Sequence, residues 1–297
     1  MRLQRALLLP ALLAGSAAPA QAQADSPGGP GQPPPSQAAP ARSEALPPDA
    51  DTAKGALEKS PRHAEWVDVP LSAGAVPIRS WVVYPERKDK AGVVIVIHEI
   101  YGLTDWIRGV ADQLARDGFI AVAPDLISGR GPGGGGTDSV SSSDDVAKLV
   151  RGLSADEVVS RLDAVRTWAV TLPAANGRLA TLGFCWGGAA SFNYATSQAG
   201  LDAAVVYYGS SPAEPARLAA IKAPILGLYG GDDARVNVTI EPAAAEMKKH
   251  GKVYETHIYE GAGHGFLRQQ AGREGANMAA TRQAWPATIQ FLGRYLK

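Results

Sequence analysis

Residues Gly183-Phe184-Cys185-Trp186-Gly187-Gly188 follow the short run Arg178-Leu179-Ala180-Thr181-Leu182 and open a stretch of helical pattern. A strand that passes into a helix through one sharp turn forces the central residue into a strained backbone conformation, so both flanking positions must lack a bulky Cβ. Such a turn lifts its central side chain above the end of a sheet, where it can act as a nucleophile. The central residue is Cys185, the single cysteine of the chain. A lone thiol is commonly no more than a small buried hydrophobe, so the surrounding sequence has to decide between the two roles.

Outward from this turn, short β-branched runs alternate with helical patterns from Ala64 to the C-terminus, which predicts a mostly parallel sheet covered by helices, an α/β fold. The expected strands are residues 65–69, 78–84, 92–97, 119–123, 179–184, 203–208, 225–229 and 253–258. The first two read as an antiparallel pair joined by a turn at Ser72-Ala73-Gly74, and Val93-Val94-Ile95-Val96-Ile97 is apolar throughout, as a strand buried on both faces should be. Helices are expected over 105–117, over 154–172, after Cys185, over 240–250 and from about 277 to 295. Ser154-Ala155-Asp156-Glu157 is a capping box, and Pro286 should kink the last helix or mark a second start. No internal repeat is visible.

The chain has 297 residues with 29 basic and 29 acidic side chains, so it suits one large domain and implies no nucleic-acid or polyanion partner. Arg2 and Arg5, the apolar 6–14 and the small residues around Ala20-Gln21-Ala22 and Ala22-Gln23-Ala24 read as an export signal over residues 1–24. No apolar run is long enough to span a bilayer. Residues 25–63, rich in proline and alanine and including Gly31-Gln32-Pro33-Pro34-Pro35, read as a disordered linker, which leaves 64–297 as the folded domain. The expected location is therefore outside the cytoplasm, periplasmic or secreted. Exported cysteines usually pair, so an unpaired one suggests a thiol kept for use.

A thiol with an ordinary pKa is only a few per cent thiolate at neutral pH, and catalysis needs a base or a positive environment beside it. The helix that Cys185 opens would supply part of this, through free N–H groups at its N-terminus. Hydrolases with a nucleophile at such a turn run nucleophile, acid, histidine along the chain. Asp233 follows the expected strand 225–229 in Gly230-Gly231-Asp232-Asp233, and His264 lies in the glycine-rich Gly261-Ala262-Gly263-His264-Gly265-Phe266. Asp232 is a neighbouring alternative, and a strand-end aspartate also serves as a turn former or helix cap. His250 ends a basic helix, His257 falls in a strand and His63 in the linker, so His264 is the best placed histidine. No two histidines have metal-ligand spacing, and one cysteine cannot build a zinc site. The oxyanion hole would use the N–H of Trp186 and that of Ile100, in the loop His98-Glu99-Ile100-Tyr101-Gly102. Glu99, at the top of a central strand, is expensive there unless it is paired.

Together these segments resemble the dienelactone hydrolase family, an α/β-hydrolase group. The motifs that carry the resemblance are His98-Glu99-Ile100-Tyr101-Gly102, Ala123-Pro124-Asp125-Leu126, Gly183-Phe184-Cys185-Trp186-Gly187-Gly188, Gly230-Gly231-Asp232-Asp233-Ala234-Arg235-Val236 and Gly263-His264-Gly265-Phe266, and they span about 83–296. The resemblance implies an α/β-hydrolase fold with a mostly parallel sheet of about eight strands, Asp233 rather than Asp232 as the acid, and hydrolysis of a small-molecule ester or lactone without metal or organic cofactor. It implies further that Glu99 holds the resting, neutral thiol and takes its proton when substrate arrives, and that Arg268 and Arg130 bind a substrate carboxylate. The export signal and linker depart from the cytoplasmic members. The expected state is a monomer, and the alternative is a non-catalytic ligand-binding protein of the cell envelope on the same fold. A nucleotide-binding loop around Cys185 is disfavoured, because the glycine spacing is not Gly-x-Gly-x-x-Gly.

Overall fold

The computed structural model describes residues 46–71 and 74–297. The expected export signal, the linker as far as residue 45, and Ser72 and Ala73 of the expected turn lie outside the described residues.

All eight expected strands form: β1 (Ala64–Val69), β2 (Ile78–Val83), β3 (Ala91–Ile97), β4 (Ile120–Pro124), β5 (Ala175–Phe184), β6 (Ala203–Tyr207), β7 (Ile225–Gly230) and β8 (Tyr254–Tyr259). They make one sheet in the order β1-β2-β4-β3-β5-β6-β7-β8. β2 pairs antiparallel with β1 and β4, and every later pairing is parallel. β3 is buried along its whole length because it lies inside the sheet with helices on both faces. Its side chains alternate between two cores: Val93, Ile95 and Ile97 enter one, Val94 and Val96 the other.

The second of these cores is closed by α2 (Asp105–Arg116) and α9 (Ala276–Leu296), which bury Trp106, Ile107 and Leu114 and Trp285, Phe291 and Leu292 respectively. On the opposite face lie α3 (Ser143–Arg151), α4 (Ala155–Ala169), α5 (Trp186–Ser197), α6 (Pro215–Ala220) and α8 (Ile240–Lys249). α4 starts at its capping box, where the Ser154 hydroxyl accepts from the Glu157 N–H at 3.2 Å. α3 and α6 lie outside the expected helices. α9 continues through Pro286, so of the kink or second start expected there the second start does not occur. No helix among the described residues is long and apolar enough to cross a membrane.

The expected linker needs correction from residue 46 onward. Leu46 and Ala53 are buried in the α2/α9 core, and α1 (Ala53–Glu58) packs beside α2. The reason lies in the prolines. Their carbonyls remain free to accept, and Trp106 donates Nε1–H to Pro48 O at 3.0 Å while Gln270 donates to Pro47 O at 2.9 Å. Ala50 donates its N–H to Arg268 O at 3.0 Å, and Arg62 closes the segment with an ion pair to Asp112 at 2.6 Å. The segment thus straps α2 to the loop that follows His264. Composition averaged over residues 25–63 hides these point contacts.

Candidate active site

The parallel strands deliver their C-terminal ends to one edge of the sheet, where sites on such sheets collect. β3 leads into Glu99 and Ile100, β5 into Cys185, β6 into Tyr208, β7 into Asp233, and β8 into the loop of His264.

Cys185 has φ 54° and ψ −114°, the strained turn expected of a nucleophile between strand and helix. The need for glycine beside it is steric. A Cβ on Gly183 would lie 1.9 Å from the carbonyl oxygen of Gly187, and one on Gly187 would lie 2.4 Å and 2.3 Å from the carbonyl oxygens of Ile97 and His98. The close approach of α5 to β3 therefore depends on bare backbone.

The thiol meets imidazole, with Cys185 Sγ 3.0 Å from His264 Nε2. His264 Nδ1 donates to Asp233 Oδ2 at 2.5 Å, and Asp233 is almost wholly buried. Asp232 faces away and pairs with Arg273 at 3.0 Å, so the structure brings Asp233 to the imidazole. Burial raises the Cys185 thiol above its usual range, and the Trp186 N–H opposes this as the largest anion-stabilising influence. Nearby Glu99 and Asp233 raise the thiol further, while Arg235 lowers it. Burial thus favours the neutral thiol, and its hydrogen-bond partner here is His264.

Glu99 is 4% exposed. Its Oε1 lies 2.8 Å from Arg268 Nε, but off the N–H axis, so the contact is an ion pair and neither atom completes a hydrogen bond. The Arg268 guanidinium also sits over the Tyr101 ring at 5.1 Å. Burial pushes the Glu99 carboxyl up to about 7, against the lowering effect of Arg268. A carboxyl raised in the folded state favours folding at low pH: its contribution is complete below about 4.5 and is lost as pH rises through about 7. Glu99→Gln should remove a decline on the order of 2–3 kcal/mol between those limits. Urea denaturation at pH 5 and pH 8 checks this; an unchanged pH dependence in the variant would contradict it.

The arginines expected at the substrate both have carboxylate partners within the protein. Arg130 is held by Glu157 in a two-point ion pair, 2.8 Å at Nε, and does not line the cavity at Cys185. Arg268 faces Glu99. The cavity, about 350 Å³, is bordered by Cys185, Trp186, Ile100, Tyr208 and two other arginines, Arg151 from the end of α3 and Arg235 from the short α7 (Ala234–Asn237). Neither of these two has a carboxylate partner among the described residues. The sequence holds one signal for Arg235, its position two residues after the acid, and none for Arg151, whose helix follows a stretch of loop composition. A larger cavity of about 550 Å³ opens between Trp66, Arg79, Asp125 and the glycines 134–136, away from both thiol and imidazole.

Asp125, of the Ala-Pro-Asp-Leu motif, has a structural task. Its carboxylate accepts from the Thr137 N–H at 2.6 Å and from the Thr137 hydroxyl at 2.9 Å, and that hydroxyl accepts from the Leu103 N–H at 3.1 Å. The glycine-rich loop is thereby tied to the loop that carries Ile100.

The dienelactone hydrolase family model matches residues 78–296. The chain is similar to a protein of Salmonella typhimurium assigned as a carboxymethylenebutenolidase, with 31% identity over 276 residues, covering 88% of this chain and 96% of that one. It is 29% identical to the carboxymethylenebutenolidase of Pseudomonas putida over 65% of this chain and 82% of the other. Among solved structures, a protein of Klebsiella pneumoniae assigned as a dienelactone hydrolase superposes with a TM-score of 0.65 at 27% identity, covering 76% of this chain and 98% of that one. An acylaminoacyl peptidase of Pyrococcus horikoshii, at 17% identity and a TM-score of 0.63, covers 83% of this chain and 44% of its own and shares the fold.

Proposed function

Because the chain belongs to the dienelactone hydrolase family and is a hydrolase, we propose that it cleaves carboxylic ester or lactone bonds through an acyl-thioester on Cys185. The observation that carries this reading is the line from thiol to imidazole to carboxylate, 3.0 Å and 2.5 Å. Sγ attacks the carbonyl carbon as its proton passes to His264 Nε2, and Asp233 steadies the imidazolium that forms. The oxyanion is met by the N–H groups of Ile100 and Trp186. Collapse breaks the acyl C–O bond, and His264 returns the proton to the departing oxygen. Water then attacks the thioester with His264 as base, which releases the acid and restores the thiol. Glu99 is a second proton acceptor in this reading; its value of about 7 allows it to hold or release a proton at neutral pH.

Intact-mass measurement during turnover of a slow ester should show one acyl group, mapped to Cys185 by digestion. Turnover with no adduct, and no protection of Cys185 from iodoacetamide by substrate, would sink the thioester.

Arg151 and Arg235 support a substrate with an anionic substituent. Arg235→Ala should raise KM about tenfold for esters bearing a carboxylate and leave neutral analogues nearly unchanged. Equal effects on both ester classes would reject that role.

The reading extends to an exported enzyme, supported by Arg2, Arg5 and the apolar run after them. A thiol kept neutral at rest suits an oxidising compartment, since thiolates are the forms oxidants attack. Holding a ligand without turnover would give no use to an aligned thiol, imidazole and carboxylate.

A further inference from the structure

We propose that His98 is a positioning residue of the oxyanion hole, a neutral imidazole that aims one peptide donor and backs the other. The inference rests on the reading of Ile100 and Trp186 as those donors.

His98 follows β3 and is completely buried. Its Nε2 faces the Leu126 N–H at 3.2 Å, and its Nδ1 lies 2.8 Å from the Glu99 carbonyl oxygen. An amide can only donate and a carbonyl can only accept. Nε2 is therefore the bare nitrogen, Nδ1 carries the proton, and one neutral tautomer alone satisfies both partners. Burial acts in the same direction, lowering the imidazole below its usual range against the opposing charge of Asp125.

The carbonyl that His98 holds belongs to the peptide unit whose N–H is that of Ile100. In a trans peptide these two groups point in opposite directions. The Gly102 N–H reaches the same oxygen at 3.2 Å, so the oxygen is held from two sides. With its oxygen fixed, the plane can present the Ile100 N–H in one direction only, and that N–H has no acceptor within the described residues. The opposite contact of the imidazole is a stack on Trp186, ring centroids 5.6 Å apart and 15° from parallel. Trp186 supplies the other donor N–H. One side chain thus touches both halves of the hole and itself contacts no reacting atom, a supporting role whose loss is felt through the groups it holds.

Two substitutions test this. Phenylalanine keeps a ring against Trp186 and removes the donor to Glu99 O; asparagine keeps an N–H donor near the Nδ1 position. His98→Phe is expected to lower kcat for a small aryl ester about hundredfold with KM within a few-fold. Iodoacetamide alkylation of Cys185 should stay within about twofold, because displacement at an alkyl carbon develops no oxyanion. His98→Asn should recover at least about tenfold of the lost kcat. The proposal is overturned if His98→Phe keeps kcat within about threefold, if alkylation falls in step with kcat, or if asparagine restores nothing. A parent protein that turns over no ester or lactone would instead fail the hydrolase reading itself, a result distinct from an active parent that is indifferent to His98.

Discussion

Cys185→Ala is expected to lower kcat/KM for small aryl esters by about 10³-fold or more, with folding intact. The methyl group of alanine fits wherever the thiol does, and the strained turn depends on the flanking glycines rather than on sulfur. What disappears is the atom that forms the acyl bond in the proposed mechanism. His264 and Asp233 would still hold each other, and the Ile100 and Trp186 donors would still polarise a bound carbonyl, so a small water-driven residue of activity is expected. Cys185→Ser is a sharper version. The imidazole that accepts from a thiol 3.0 Å away can accept from a hydroxyl, but a hydroxyl is a far weaker acid and nucleophile, so activity should stay well below the parent. Hydrolysis at the parent rate in the alanine variant would remove Cys185 from the chemistry and leave the family fold without its proposed mechanism.

The second large effect falls on stability. Gly187→Ala should destabilise the protein by about 4 kcal/mol, or prevent folding, because its methyl would sit 2.3 Å and 2.4 Å from two carbonyl oxygens of the β3 end. Those oxygens are backbone of the central strand and of the loop bearing Glu99, so neither can give way without moving the peptide that carries Ile100. Gly55→Ala is the matched control. Gly55 lies inside α1, a Cβ there meets nothing within 4 Å, and the substitution should stabilise by roughly 0.5–1 kcal/mol through helix propensity. Urea denaturation of both variants separates steric demand from a general intolerance of added carbon. Similar midpoints for Gly187→Ala and the parent would show that α5 can stand off from β3.

The strands, the chain order of thiol, carboxylate and imidazole, the candidacy of His264 and the strain at Cys185 are legible in the amino-acid sequence, while Asp233 is separated from Asp232 there only by the family resemblance. Each is written in short segments: alternating or continuous apolar runs for β1 to β8, paired glycines at the turn, and a carboxylate or imidazole just past a strand end. α3 is not legible in this way, because the glycine and serine before it continue into its first turn as loop composition, and Arg151 at its end is hidden with it. The segment from Leu46 to Arg62 is hidden for a related reason: its hold on the fold comes from the Pro47 and Pro48 carbonyls, buried Leu46 and Ala53, and the Arg62–Asp112 ion pair, point contacts that averaged composition does not register.

The arginines mark the boundary between the two kinds of knowledge. Arg130 and Arg268 stand near the motif positions that suggest a substrate contact, yet one is taken by Glu157 and the other by Glu99, while Arg151 and Arg235 are left at the cavity. The proton on His98 is of the same kind, decided by Leu126 and Glu99 O from outside the ring. By itself the chain determined the eight strands, the longer helices and which chemistry-bearing residues end on one edge of the sheet, because hydrophobic period, capping and turn sterics act over a few neighbouring residues. Only the tertiary structure decided which charges are already satisfied, which tautomer is held and which end of the supposed linker is a strap. Those outcomes depend on partners tens to hundreds of residues away, brought within hydrogen-bond reach by folding.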